Sequence, residues 1–334
     1  YLKSSGSSRV YLFNGRHATG KPIIAACNLK VVDFYTYEFH YYKDKYKLYK
    51  NTQPHDFLYE LSKSNEYWSD PKVEQKVKDK IGAEFYKRKN ISEFLSRDIL
   101  KLQQKTLLPK DWDKNRHNVI FFTNSEFESY AAFEYKEESV YKNHFSGICD
   151  ILESLKKLDH DIHIYIRLHP YLASVPEAKS EIKQYQTLEY DFMTLIQPDD
   201  PVDSYELIKR AGKVISYIST ISMESSFMNK PTILLSRHLT AFMGSCYVPE
   251  THEEVLKLIL DQNLNAKDRE GALKFGYFWE RFGESYKYYH NQRLESGYFK
   301  DIKVEVSPFI EDIILRNYHR PKLRKFRMFL EYLI

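Results

Sequence analysis

The sequence predicts a two-unit α/β protein in which strands and helices alternate around a doubly wound parallel sheet. Three observations carry this. Val119–Thr123 is a short continuous apolar run of the kind that forms a buried parallel strand, and the alternating Ile162–Leu168 and the short segments Thr194–Gln197, Val214–Ile218 and Pro231–Leu235 read as further strands. Helix-periodic stretches separate most of them, at 137–158, Ser204–Ala211 and Ile221–Asn229, and strands alternating with helices build parallel sheets. Finally, several of these runs stop at polar or turn-forming residues: Asn124-Ser125, His169-Pro170 and Ser219-Thr220. Such sheets bind ligands beyond the carboxyl ends of their strands, where these residues fall.

The remaining elements follow in order. After the flexible lead-in SSGSSR, the strand Val10–Phe13 ends in Asn14-Gly15-Arg16 and meets a helix at Lys21–Leu29. Val31–Phe39 is rich in β-branched and aromatic residues and predicts a second strand. Residues 57–105 are mostly helical and polar, and Glu253–Leu260 and 266–284 are helices. A boundary near residue 140 divides the chain into an N-terminal domain (1–140), a C-terminal domain (141–290) and a helical extension (291–334). In that extension a helix at 323–334, with basic residues from Arg320 to Arg327, combines charge with Phe326, Phe329, Leu330 and Leu333. It either lies on anionic lipid as an interfacial helix or packs across the two domains.

Composition sets bounds. The 334 residues suffice for two domains, and 43% hydrophobic with 29% charged residues describes a globular chain. No run of about 18 apolar residues occurs, so no spanning helix is predicted. A net charge of +4 is too small to imply nucleic acid. Cys27, Cys149 and Cys246 lack CxxC or Cys/His spacing, which predicts a cytoplasmic chain without disulfides or a metal site. The aromatic share of 16% fits both sugar-lined clefts and a biased genomic composition, so it decides nothing alone.

Chemistry concentrates at the strand ends. Ser219 and Thr220, opening a helix, offer hydroxyls and backbone N–H groups to a phosphate, although as isolated residues they also fit plain N-caps. Arg167 and His169 can add charge-assisted hydrogen bonds to the same phosphate. Glu224, one turn into the helix, can accept from ribose hydroxyls.

The segments IYIRLHP, QPDDPVDSYELIKRAGKVISYISTISMESSFMNKPTILL and FGYFWERFGESYKYY resemble the C-terminal half of bacterial capsule and surface-polysaccharide biosynthesis glycosyltransferases. VYLFNGRHATGKPIIAAC, YEFHYY, QPHDF and VIFFTNSEFE are similar to their N-terminal half. The resemblance implies a GT-B-like fold: two Rossmann-like domains with a cleft between them and C-terminal helices crossing back. It implies a metal-independent glycosyltransferase with no cofactor, a nucleotide-activated sugar as donor and a glycan or lipid-linked glycan as acceptor. Through the basic helix at 323–334 the chain would associate peripherally with the inner face of the plasma membrane, next to a lipid-linked acceptor. Arg167, His169, Ser219, Thr220 and Glu224 become donor-binding residues. Asn14, Gly15, Arg16, His55, Asp56 and Ser125 become acceptor-side cleft residues. Glu126, Glu128 and Glu38 are the candidate catalytic carboxylates. A CDP-glycerol-type glycerophosphotransferase, a nucleotide-sugar epimerase and a non-catalytic nucleotide-binding subunit share these features and stay open. Only about ten residues precede Asn14, so either the first sheet is small or the natural protein begins earlier.

Overall fold

The computed structural model describes residues 8–16, 19–42, 44–89, 103–124, 140–174, 178–293 and 296–305. Its larger sheet contains β4 (His117–Phe122), β5 (Ile162–Arg167), β6 (Met193–Ile196), β7 (Lys213–Ser216) and β8 (Thr232–Leu234). All pairs are parallel, in the order β6-β5-β4-β7-β8. Every residue of β5, β7 and β8 is buried, His163, Arg167 and Lys213 included, as strands of a parallel sheet are when helices cover both faces. One layer comes from α4 (His144–Leu155) and α8 (His252–Leu260), which bury Ile148, Ile151, Leu152, Leu155, Val255 and Ile259. Across the sheet, α6 (Ser204–Arg210) packs Leu207 and Ile208 on Ile120, Tyr165 and Val214. Asn143, Asp203 and Thr251 cap these helices through side-chain oxygens. The strand order reverses at β4, so the loops after β4, β5 and β7 surround the switch point where such sheets take ligands.

The strand that the sequence places before the boundary, Val119–Thr123, is therefore the centre of this sheet. Its burial on both faces required a parallel partner on each side, and β5 and β7 supply them.

The smaller sheet has the order β1-β2-β3-β9, from β1 (Arg9–Phe13), β2 (Asp33–Phe39), β3 (Lys45–Lys50) and β9 (Glu284–Ser285). β1 and β2 are parallel and joined through α1 (Lys21–Lys30), and the other pairs are antiparallel. β2 begins later than Val31, because Val31 closes α1 in the left-handed conformation at φ 55°. Alternation places Leu12, Phe34, Thr36, Glu38 and His40 on the inner face with Lys47 and Tyr49 of β3, while Tyr11, Phe13, Tyr37 and Phe39 are exposed.

Residues 289–293 and 296–305, most of them within the expected helical extension from 291, form an antiparallel sheet of β10 (Tyr289–Arg293), β11 (Ser296–Phe299) and β12 (Ile302–Glu305). Lys300 enters the turn at φ 53°, and this short-range hairpin overrides any helical reading of the Lys and Glu content. Residues 323–334, and Ser125, Glu126 and Glu128, lie outside the described residues.

Crossing back occurs through α9 (Glu270–Arg281), which packs on α2 (Phe57–Ser69) and α3 (Gln75–Lys89). Phe275, Phe278 and Trp279 of α9 join Tyr49, Phe85 and Tyr86 in one cluster with Met223, Leu234 and Leu239. A shared core thus bridges the two sheet regions. Among the described residues no helix is long and apolar enough to cross a membrane.

Candidate active site

On the smaller sheet, β1 runs into two left-handed residues, Asn14 at φ 62° and Gly15 at φ 81°. Asn tolerates that conformation, and Gly15 also needs the space, since a Cβ would stand 2.8 Å from Ile24 Cδ1 and 3.0 Å from Thr36 Cγ2. The turn aims Asn14 Nδ2 at Glu38 Oε1 (2.9 Å), and an Arg16 guanidinium nitrogen donates to the same oxygen at 2.8 Å. Arg16 is fixed further by its backbone N–H and Nε, both donating to Asn14 Oδ1. Lys47, opposite Glu38 on β3, donates to Oε2 at 3.0 Å, and His55 Nε2 lies 3.4 Å from that oxygen. Burial pushes the Glu38 pKa up, but the His55 hydrogen bond and the charges of Lys47, His55 and Arg16 outweigh it. The carboxyl is held well below the usual carboxylate range. A carboxylate so stabilised is a weak proton acceptor. Its geometry is that of an anchor.

Asp56 caps α2, accepting from the backbone N–H groups of Leu58 and Tyr59 at 3.1 Å and from the Thr52 hydroxyl. Those bonds account for its carboxylate structurally. Glu60, a turn into α2, is buried and accepts from the Tyr49 hydroxyl at 2.8 Å. Burial raises its pKa against the opposing influence of His55 and Lys47. Two carboxylates beside one lysine and one histidine are thus driven in opposite directions.

On the larger sheet, Arg167 is buried at the end of β5. Its guanidinium donates to the carbonyl of Gln197 and, at 3.1 Å, to that of Asp200. Burial lowers its pKa to about 10, opposed by Asp200 and Asp199. It therefore shapes the loop leading into α6. The backbone N–H of His169 donates to Thr123 Oγ1 at 3.1 Å, tying the ends of β5 and β4 together. Its Nδ1 accepts from the Tyr171 N–H at 3.2 Å, so the neutral ring carries its proton on Nε2, a donor. Ser219 Oγ accepts from the Ile221 N–H at 3.3 Å at the start of α7 (Ile221–Phe227). Thr220 instead donates inward to Glu224 Oε1 at 3.0 Å, and the Tyr205 hydroxyl of α6 donates to Glu224 Oε2 at 2.6 Å. Both oxygens of this buried carboxylate thus accept from the chain itself.

The two regions meet at this level. Tyr41, packed edge-on against Trp279 at 5.1 Å, has its pKa pushed up by burial, then by Glu60 and Glu38 of one region and Glu224 of the other. His238, just beyond β8, packs against Phe57 with ring centroids 5.9 Å apart. Burial lowers its pKa to about 3, with a contribution from His55. Sequence reasoning missed Lys47, Glu60, Tyr205 and His238. Lys47 and Glu60 look like solvated charges until the register and the α2 packing bury them. His238 could have been found, since it follows the carboxyl end of β8. No cluster of three or more His, Cys, Asp or Glu able to hold a metal occurs among the described residues.

The sequence matches no protein-family model and no curated protein. Among solved structures, it is similar to Thermosulfurimonas dismutans KpsC, a β-Kdo 2,4-transferase. The TM-score is 0.50 at 10% identity, over 81% of this chain and 79% of that one. It also matches the same organism's KpsC β-Kdo 2,7-transferase (TM-score 0.42, 13% identity, 82% and 77% covered). A third match is the S. aureus MnaA–UDP co-structure (0.38, 14%, 84% and 75%). The chain has a GT-B-like fold, with two sheet-and-helix regions and a C-terminal helix returning to the first.

Proposed function

We propose that this protein transfers a sugar from a nucleotide-activated donor to a surface-polysaccharide acceptor of the capsule or lipopolysaccharide type. The donor lies over the carboxyl ends of β4, β5 and β7, and the acceptor over the Asn14-Gly15-Arg16 turn. In this division β4 belongs to the donor-side unit. The observation that carries the reading is the core shared by these two walls: Tyr49, two residues beyond Lys47 on β3, lies in one cluster with Met223, the residue before Glu224 on α7, and with Leu234 of β8. His169 presents its Nε2 proton to the donor phosphate, beside the Ser219 turn. Arg167 sets the loop behind them, and Glu224 holds Tyr205 and Thr220 in place next to the ribose. The departing phosphate is stabilised by hydrogen-bond donors of the chain, with no metal assigned a role.

A thermal-shift panel of CMP, CDP, UDP, GDP and ADP tests this. One nucleotide should stabilise the protein, by about 2.7 kcal/mol at a hundredfold excess over its Kd. His169→Ala should lose most of that shift while keeping the melting temperature of the free protein. Equal shifts in the variant and the parent would remove His169 from the donor site.

A further inference from the structure

We propose that His55 takes the proton from the acceptor hydroxyl and that Glu38 is its positioning residue, an inference resting on the transfer reaction above. Glu38 is the carboxylate that the sequence offers for this task, yet Asn14, Arg16 and Lys47 already occupy it at 2.8–3.0 Å. What a fixed carboxylate does well is orient an imidazole and stabilise the imidazolium that forms on it. His55 Nε2 stands 3.4 Å from Glu38 Oε2, which leaves Nδ1 for substrate, and no hydrogen bond to Nδ1 occurs among the described residues.

Accessibility separates the members of the cluster. The His55 side chain is 32% exposed, against 15% for Glu38, 7% for Lys47 and 16% for Arg16. A hydroxyl entering from solvent therefore reaches His55 before the others. Its backbone is unusual too. His55 holds φ at 67° between the buried Pro54 and the Asp56 cap of α2, a conformation that costs a non-glycine residue free energy and needs its neighbours to enforce it. Asn14, the other left-handed residue of the cluster, also bonds to Glu38. Two strained backbone positions thus deliver side chains to one carboxylate. His238, beyond β8, packs against Phe57 with ring centroids 5.9 Å apart, and Phe57 follows His55 by two residues, which brings the His55 turn beside the end of β8.

In the step, the acceptor oxygen forms a bond to the anomeric carbon while its proton passes to His55 Nδ1. The bond from that carbon to the donor phosphate oxygen breaks, and its electron pair leaves on the nucleotide. The imidazolium, paired with Glu38, then returns its proton to solvent. The titratable and charged groups around His55 are Glu38 on β2, which also holds Lys47 of β3 and Arg16 after β1, the adjacent cap Asp56 and Glu60 of α2, and His238 after β8.

The test uses the full chain and a panel of UDP-, CMP- and GDP-sugars with water as acceptor, read as nucleotide release, alongside thermal shifts with the free nucleotides. His55→Ala should lower the release rate about a hundredfold or more, keep the nucleotide-induced shift, and regain rate with added imidazole. Glu38→Gln should also slow release, without imidazole rescue. If His55→Ala keeps its rate within threefold while the parent turns donor over, the inference fails and the transfer reading stands. A His55→Ala protein that loses nucleotide binding and rate together, with no imidazole rescue, also overturns it. Absence of both nucleotide shift and donor turnover in the parent would overturn the transfer reading first and this inference with it.

Discussion

Replacing Glu38 with alanine is expected to cost about 3–5 kcal/mol of folding stability, the range for breaking a buried ion pair from one side. The reason lies in what is left behind. Lys47, 6% exposed, has its charge against Glu38 and near the rings of Tyr41 and Trp279, at 5.8 and 5.5 Å from their centroids. Aromatic faces alone do not replace a carboxylate for a desolvated ammonium. Arg16 would keep only its bonds to Asn14. Denaturant unfolding of Glu38→Ala measures the loss, and Glu38→Gln with Lys47→Met should recover part of it, because the second change removes the stranded charge. A loss under about 1 kcal/mol would be that of an exposed ion pair and would contradict the burial argument.

The pH dependence has a definite sign. The folded-state pKa of Glu38 is lowered, so its contribution is full above the ordinary glutamate value of about 4.3 and is lost as pH falls below it. The gap between wild type and Glu38→Ala should therefore be constant near neutrality and close in acid. His40 and His238, whose burial lowers their pKa to about 3, and His144, lowered to about 4, are kept neutral in the fold. They bind protons in the unfolded chain first, so stability also falls with pH below about 6.5. That loss is common to both proteins and leaves their difference largely unchanged.

Gly276→Ala is the second large effect. In an open helix this change stabilises by about 1 kcal/mol. Here a Cβ at Gly276 would run into the carbonyl oxygen of Gly82, and one at Gly82 into that of Leu273. The contact is backbone against backbone, so no side chain can rotate away, and overpacking of this kind costs about 1–3 kcal/mol or more. The net expectation is a loss of about 2 kcal/mol, read from the denaturation midpoint. Stabilisation would show that α9 does not lie on α3, and with it that the C-terminal helix does not return to the first region.

The larger sheet was legible because its strands are buried on both faces. Val119–Phe122 is a continuous apolar run, Ile162–Leu168 and Val214–Ile218 are rich in Ile, Val and Tyr, and the polar residues that follow them mark the ligand side. The smaller sheet was harder to read. Lys45–Lys50 alternates charge with aromatic residues and passes for a solvated segment, until pairing with β2 places Lys47 opposite Glu38. Asp56, a cleft residue by the resemblance, makes the bonds of a helix cap to Leu58 and Tyr59, a role that the following helical run signals. The resemblance puts Glu38 in the cleft and its carboxylate suggests a base. What alters it is long-range: Arg16, Lys47 and His55 are separated from it in sequence by 22, 9 and 17 positions, and only the fold sets their charges against one carboxylate.

The central claim is that the donor lies on the larger sheet and the acceptor on the smaller one. A crystal structure with the stabilising nucleotide tests it most directly. Its phosphate is expected at the carboxyl ends of β5 and β7, within hydrogen-bond distance of His169 Nε2, with the sugar side open toward His55. A nucleotide seated on the smaller sheet, or away from His169, would contradict it.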